Sequence, residues 1–273
     1  MNIKQEVNLI LSEIRRNRPL IHHLTNAVTI NDCANMTLAV GASPIMSTYR
    51  GEVADIVRVS RAVVLNIGTI NDEAEEAMHI AGAEANKCGV PIVLDPVGAG
   101  TTRHRCNVAK KLIENVHPTV IRGNVSEMRA LLGEESHAHG VDASGADDDG
   151  LSVATRVAQT FGCIAALTGA RDIITDGKRY YRIQNGHTML TRVTGTGCMT
   201  NSLIASALAV TDDALSAAVT GILVMGLAGE MAHKSLFGSA AVGAFRVKLF
   251  DAVFTLSSIE IEQYAKIESG ELV

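Results

Sequence analysis

The sequence predicts an α/β protein with a mostly parallel central sheet and helices on both of its faces. Short β-branched or apolar runs bounded by turn residues recur along the chain, and most of them alternate with helix-length patterns. The composition agrees: 47% of residues are hydrophobic but only 3% aromatic, with 24 glycines, a mix suited to buried parallel strands under closely packed helices. A chain of 273 residues buries a sizeable core without staples. No repeat, low-complexity tract or linker divides it, so residues 1–273 are read as one domain.

Taken in order, the chain opens on an amphipathic helix start rather than a signal peptide. Residues 62–67, 92–94, 120–121 and 164–168 read as strands, with helices over 72–88 and 105–114 between them. The polar stretch 140–150 reads as an exposed loop; its acidic residues lack the spacing of a calcium loop. Strands at 172–175 and 180–183 flank Asp176-Gly177, a hairpin signal, so antiparallel strands should extend the sheet there. From Met199 onward the pattern is almost wholly helical. Residues 214–229 are apolar but short for a membrane span, and read as a buried helix.

Composition also removes function classes. A net charge of −5 leaves no electrostatic footprint for nucleic acid, and the scarcity of aromatics removes stacking platforms. The five cysteines, at 33, 88, 106, 163 and 198, are scattered, with no C-x-x-C pair. That argues against a disulfide framework or zinc site and for a reducing cytoplasm.

The most informative stretch is Val193-Thr-Gly-Thr-Gly-Cys-Met-Thr-Asn-Ser-Leu. Gly195, Thr196 and Gly197 end a strand-like run and lead into a helix. Such a turn leaves backbone N–H groups converging at the positive end of the helix dipole, where an anion is favoured. Cys198 falls in the first turn, where the same field favours a thiolate.

Ligands of open α/β sheets bind beyond the carboxyl ends of the strands. One strand leads into Asp95-Pro-Val-Gly-Ala-Gly, a carboxylate before a glycine-rich loop. It is not a P-loop, and Gly98-Ala-Gly100 is an incomplete dinucleotide fingerprint. The next strand leads into Arg122-Gly-Asn-Val-Ser-Glu127. Asn124 and Glu127 suit a capping box, while Asp95 and Glu127 are hard oxygen groups able to hold Mg²⁺ directly or through its waters. Arg122 suits phosphate oxygens. Thr168-Gly169 offers a hydroxyl and a close backbone approach for a nucleotide. In the N-terminal region Asn26 can hydrogen-bond a small polar heterocycle and Met46 can cover its apolar face. His22 and His23, as neighbours, point apart and are read as packing groups rather than metal ligands.

Together His23-Leu-Thr-Asn-Ala-Val-Thr-Ile-Asn, Gly41-Ala-Ser-Pro-Ile-Met, Leu94-Asp-Pro-Val-Gly-Ala-Gly, Ile121-Arg-Gly-Asn-x-x-Glu and Thr194-Gly-Thr-Gly-Cys closely resemble the hydroxyethylthiazole kinases, in family order and over nearly the whole chain. The resemblance implies a ribokinase-like α/β/α sandwich and ATP-dependent phosphorylation of the primary hydroxyl of 4-methyl-5-(2-hydroxyethyl)thiazole in thiamine biosynthesis or salvage. It also implies Mg²⁺ and a homotrimer with substrate sites near subunit contacts. By motif, Arg122 and Thr168 would contact ATP, with Asn124 and Gly169 beside them, and Asp95 and Glu127 would organise magnesium. Met46 and Gly195 would contact the thiazole, with Asn26 and Gly68 close by, and Gly195–Cys198 would be the anion hole.

The wider superfamily usually has an aspartate as general base where this chain has Cys198. An ordinary thiol, with pKa about 8.5, is only a few per cent ionised at neutral pH; the helix N-terminus favours ionisation and burial opposes it. Three other readings stay open on the residues: a nucleotide-dependent dehydratase of hydrated NAD(P)H on the same fold, a Rossmann-type NAD-dependent oxidoreductase, and a non-catalytic ligand-binding module.

Overall fold

The computed structural model describes residues 2–134, 146–238 and 241–272. Among the described residues the strands are β1 (Leu20–Leu24), β2 (Ser43–Met46), β3 (Ala62–Asn66), β4 (Ile92–Asp95), β5 (Val120–Asn124), β6 (Ile164–Thr168), β7 (Asp172–Thr175), β8 (Arg179–Ile183) and β9 (Ile267–Glu271). They form one sheet in the order β2-β1-β3-β4-β5-β6-β7-β8-β9. Every pair from β2 across to β6 is parallel, and the pairs from β6 to β9 are antiparallel. The hairpin expected at Asp176-Gly177 joins β7 to β8.

The helices are α1 (Ile3–Asn17), α2 (Ile30–Val40), α3 (Val53–Val59), α4 (Asp72–Cys88), α5 (Arg103–Val116), α6 (Val125–Leu131), α7 (Ala146–Phe161), α8 (Thr196–Leu208), α9 (Ala214–Lys234), α10 (Val242–Thr255) and α11 (Ser258–Tyr264). They sort onto the two faces. Apolar residues of α1, α2, α8, α9, α10 and α11 share one buried cluster, and those of α3 to α7 share the other.

Strand parity joins the layers. Successive side chains of a strand point to opposite faces, and Val64, Val93, Val120 and Ala166 enter the α8 cluster while Leu65, Leu94, Ile121 and Leu167 enter the other. Two residues beyond each member of the first set stand Asn66, Asp95, Arg122 and Thr168. The period of two thus delivers four polar side chains to the α8 face, at the carboxyl ends of four adjacent strands.

The structure corrects several expectations. Residues 146–150 open α7 rather than a loop, and the rest of that stretch lies outside the described residues. The run before Gly195 is a 3₁₀ turn, Thr188–Arg192, with Val193 extended after it, and not a strand. The region after Met199 is almost wholly helical, as expected, except that β9 returns to the sheet. Its sequence Ile-Glu-Ser-Gly-Glu has no strand signal of its own; pairing supplies it, with Arg179 opposite Glu271 and Arg182 opposite Glu268. The strands β1 and β2 also went unread, β1 because two histidines interrupt its apolar run and β2 because it is four residues long and contains Pro44. The helix expected over 214–229 continues through Glu230 to Lys234 as α9. It is long and apolar enough to cross a membrane, yet most of it is buried in the core.

Candidate active site

The turn at the start of α8 has the geometry its glycines suggest. Gly195 is the N-cap, in the left-handed region at φ +81°, and a Cβ there would collide with Thr29. The Met199 N–H donates to the Gly195 carbonyl at 2.8 Å, so the amides of Thr196, Gly197 and Cys198 precede the helix's own acceptors. A Cβ on Gly197 would overlap the Arg122 guanidinium. That close approach brings a fixed cation against the first turn of α8, an arrangement suited to a phosphoryl group.

Arg122 is held in place by Thr168, whose Oγ1 accepts from Nη2 at 2.6 Å. Both line a cleft of about 550 Å³ that also includes Gly169, Asp172, Thr196 and Gly197 and runs on to α9. Asp172 accepts the Gly169 N–H at 3.0 Å. Burial pushes its carboxyl up to about 6, against the opposing pull of that amide and Arg122.

The two candidate metal carboxylates differ. Glu127 completes the expected capping box: its N–H donates to Asn124 Oδ1 at 2.9 Å, and its Oε2 accepts the Asn124 N–H at 2.8 Å. Its Oε1 accepts the Gly98 N–H at 2.9 Å. Glu127 therefore ties the glycine-rich loop after β4 to the start of α6, and each oxygen retains a lone pair. Asp95 is only 1% exposed. Its Oδ2 accepts from Asn66 at 2.7 Å and Asn201 at 2.5 Å and lies 3.9 Å from Arg122 Nη1, whereas its Oδ1 is buried with no hydrogen-bond partner. Burial pushes this carboxyl up to about 7; Arg122 opposes, Glu127 adds to the rise, and the two asparagines oppose.

Asn66 is a hub that the sequence reading did not identify. Asn26 Oδ1 accepts the backbone N–H groups of Val28 and Thr29, each at 3.1 Å, which fixes its amide orientation. Its Nδ2 donates to Asn66 Oδ1 at 2.9 Å and to Cys198 Sγ at 3.4 Å. Asn66 Nδ2 in turn donates to Asp95 Oδ2 and, at 3.3 Å, to Cys198 Sγ. The donors all run one way, from backbone to asparagine to asparagine to carboxylate, and two N–H groups end on the sulfur. Even so, burial pushes the Cys198 thiol up and Asp95 adds to the rise, with Thr29, Asn26 and Asn66 opposing. The thiolate-favouring field expected from the helix start is thus outweighed in the protein alone.

Asn201 was also missed. A strand-end rule applied to residue 66 and an i+3 step from Cys198 along α8 would have reached both asparagines.

The heterocycle candidates lie on the other side of the turn. Gly68 packs against Asn26, where a Cβ would come within 2.9 Å of the Asn26 side chain, and its N–H donates to Asn66 Oδ1 at 2.9 Å. Met46 ends the edge strand β2, in register with His23 of β1, and is half-buried. Met46, Asn26 and Gly68 do not line the 550 Å³ cleft.

The two histidines hold this side together. The Thr37 hydroxyl donates to the Cys33 carbonyl at 2.8 Å, so the His23 Nε2–H must be the donor to Thr37 Oγ1 at 3.1 Å. The His22 Nε2–H donates to the Ser47 carbonyl at 3.1 Å. Burial lowers the two rings to about 4 and about 3 for His22 and His23, so both are neutral at pH 7. They serve as packing groups.

Comparison with known proteins bears on this geometry. The hydroxyethylthiazole kinase family profile matches residues 11–259. A hydroxyethylthiazole kinase of Alkaliphilus metalliredigens (strain QYMF) is 44% identical over 268 residues, 98% of this chain and 97% of that protein. The structure of a hydroxyethylthiazole kinase protein from Pyrococcus horikoshii OT3 is 36% identical with a TM-score of 0.89, covering 98% of this chain and 100% of that one. A ribokinase-like superfamily protein from Enterococcus faecalis V583, at 13% identity and a TM-score of 0.64 over 92% of this chain and 89% of its own, shares the fold alone. With a ribokinase-like α/β sheet and a profile match over residues 11–259, the chain belongs to the hydroxyethylthiazole kinase family.

Proposed function

We propose that this protein transfers the γ-phosphoryl group of ATP to the primary hydroxyl of 4-methyl-5-(2-hydroxyethyl)thiazole. The observation that carries the reading is one turn serving two purposes: Gly197 lies against the Arg122 guanidinium, and the Cys198 sulfur faces Asn26 and Asn66. Family membership over the whole chain argues against both the hydrated-nicotinamide dehydratase and the nicotinamide oxidoreductase.

In this reading ATP occupies the 550 Å³ cleft, its phosphates against Arg122, Thr168 and Gly169, whereas Asn124, which caps α6, does not line the cleft. The thiazole sits against Met46, Asn26, Gly68 and Gly195, its hydroxyl directed at Cys198. Thr196 and Gly197 present amides to the group in flight while Arg122 balances its charge. Such placed donors are the main source of catalysis in phosphoryl transfer, whose loose transition state needs little nucleophilic push. Cys198 Sγ, in its thiolate form, takes the hydroxyl proton and becomes the neutral thiol.

Asp95 and Glu127 fit a magnesium site: Asp95 Oδ1 has no protein partner, and Glu127 keeps lone pairs on both oxygens. Bound there, the cation would neutralise phosphate oxygens.

We further propose that residues 1–273 act as one domain, that three copies assemble, and that the enzyme works in the cytoplasm. All five cysteines are free thiols, in keeping with a reducing compartment. Support for assembly comes from the β2 edge, where Val28, Leu38 and Tyr49 are all more than half exposed.

The test is ADP release from MgATP with and without hydroxyethylthiazole, with the product weighed by mass spectrometry. Thiazole-dependent release with a phosphate ester of matching mass is expected. Release that ignores the thiazole would overturn the substrate assignment.

A further inference from the structure

The buried residue Asn201 has one occupation. It is fully buried on α8 among Met199, Leu203, Ile204 and Ala205. Its Nδ2 donates to Asp95 Oδ2, while its own Oδ1 is buried without a partner. An unsatisfied buried carbonyl is a standing cost that an apolar residue of similar volume would not carry. Its compensating contact is with Asp95. Asn66, arriving from β3, donates to the same oxygen at 2.7 Å. Its amide cannot flip without losing the bonds that its Oδ1 accepts from Asn26 and Gly68. Arg122 also approaches Oδ2 rather than Oδ1.

We infer that Asn66 and Asn201 are positioning residues, which saturate Asp95 Oδ2 from two separate elements and so reserve Oδ1 for a divalent cation or one of its waters. The inference rests on the proposal that Asp95 serves the metal. It extends that proposal from the carboxylate to the groups that aim it. A carboxylate with two equivalent free oxygens can rotate about its terminal torsion. Here two amides anchored in β3 and α8 hold that rotation. Outer-shell partners of this kind are worth about 10- to 100-fold in metal affinity. Asn66 also touches Asn26, so the same amide links the proposed thiazole pocket to the proposed metal carboxylate. The one side-chain hydrogen bond of Asn201 goes to Asp95, which makes it the cleaner residue to change.

The experiment titrates Mn²⁺ into the ADP-bound protein and follows free Mn²⁺ by its electron paramagnetic resonance signal, with melting temperature and metal-free ADP affinity measured alongside. Asn201→Leu and Asn201→Ala should each weaken Mn²⁺ binding about 10- to 100-fold while metal-free ADP affinity stays as in the parent. A merely structural role would instead move melting temperature and ADP affinity together with metal affinity. The two substitutions differ in bulk, so failure of one to fold leaves the other as the test. Asp95→Asn separates the two levels of the argument. If it weakens Mn²⁺ binding and folded Asn201 variants do not, the positioning role is overturned and the metal reading stands. If Asp95→Asn binds Mn²⁺ as the parent does, the metal reading falls and takes the inference with it. In the double variant, adding Asn201→Leu to Asp95→Asn should cost nothing further, because Asn201 acts through that carboxylate; a full additive loss would overturn the inference.

Discussion

The two sides of the Gly195–Cys198 turn are built on different terms. Toward β6 and α9 the cleft is lined from several elements of the one chain: Arg122 is pinned by Thr168 and Asp172 by Gly169. Toward β1 and β2 the candidate pocket runs out at the edge of the sheet. Met46 ends the last strand there, and the apolar side chains of Val28, Leu38 and Tyr49 face outward. In the proposed reading the nucleotide side is lined by one chain, whereas the heterocycle side lies toward the sheet edge, where a docked copy would cover it. Affinity for ATP should therefore belong to the chain, and affinity for the thiazole to the assembly.

The largest test strikes the nucleotide side. Arg122→Ala should lower kcat/KM for ATP by about 10²- to 10³-fold, the scale of losing one preorganised charge donor. Gly197→Ala should match or exceed it, because its methyl displaces the guanidinium. Steady-state ADP release measures both, and near-normal turnover in either would remove the anion site from the chemistry.

Cys198 stands between the two sides, and its prediction has a sign. Because burial raises the thiol, the ionised fraction near neutrality is small and grows as pH rises. Turnover limited by that thiolate should climb with pH above neutrality. Cys198→Asp, ionised throughout that range, should keep or raise turnover at pH 7 and flatten the climb. Cys198→Ala should cost about 10²-fold or more, the lower range of general-base help. A nearly normal Cys198→Ala beside a dead Cys198→Asp would show that the thiol is no base.

Smaller effects belong to the open side. Met46→Ala should raise KM for the thiazole about tenfold, the value of a side chain's worth of apolar contact, and leave KM for ATP alone. Equal shifts in both constants would erase the distinction between the sides. Dilution should do the same by another route: as sedimentation shows the assembly dissociating, thiazole affinity should fall several-fold while ATP affinity holds. Thiazole affinity that ignores protein concentration would show the edge pocket to be complete in one chain.

Much of this was legible in the sequence, for reasons that differ by residue. Asp95, Arg122 and Thr168 sit at or near strand ends, and strands with apolar alternation announce themselves. Gly195 and Gly197 were legible because a tight turn needs them. Asn66 and Asn201 were not, because an asparagine inside an apolar run looks like noise until its partner, on the neighbouring strand for Asn66 and on the sheet beneath α8 for Asn201, is known. The same applies to β9, whose strand character lies in β8 and not in its own residues. The upward shift of Cys198 was unreadable too. A helix start is a local pattern, but burial and a neighbouring carboxylate are facts of packing.

The outermost strand has one more consequence. β9 lies against β8 with opposite charges in register, Arg179 opposite Glu271 and Arg182 opposite Glu268, and Gln184 donates to Glu268 at 2.9 Å. Its exposed acids make a poor template for a further strand, so the sheet has a terminus that repels its own kind. That protection is ionic. At about 1 M salt the screening length shrinks to about 3 Å, and the repulsion between two such acidic edges falls with it. Clumping of this protein in concentrated salt should begin at that end.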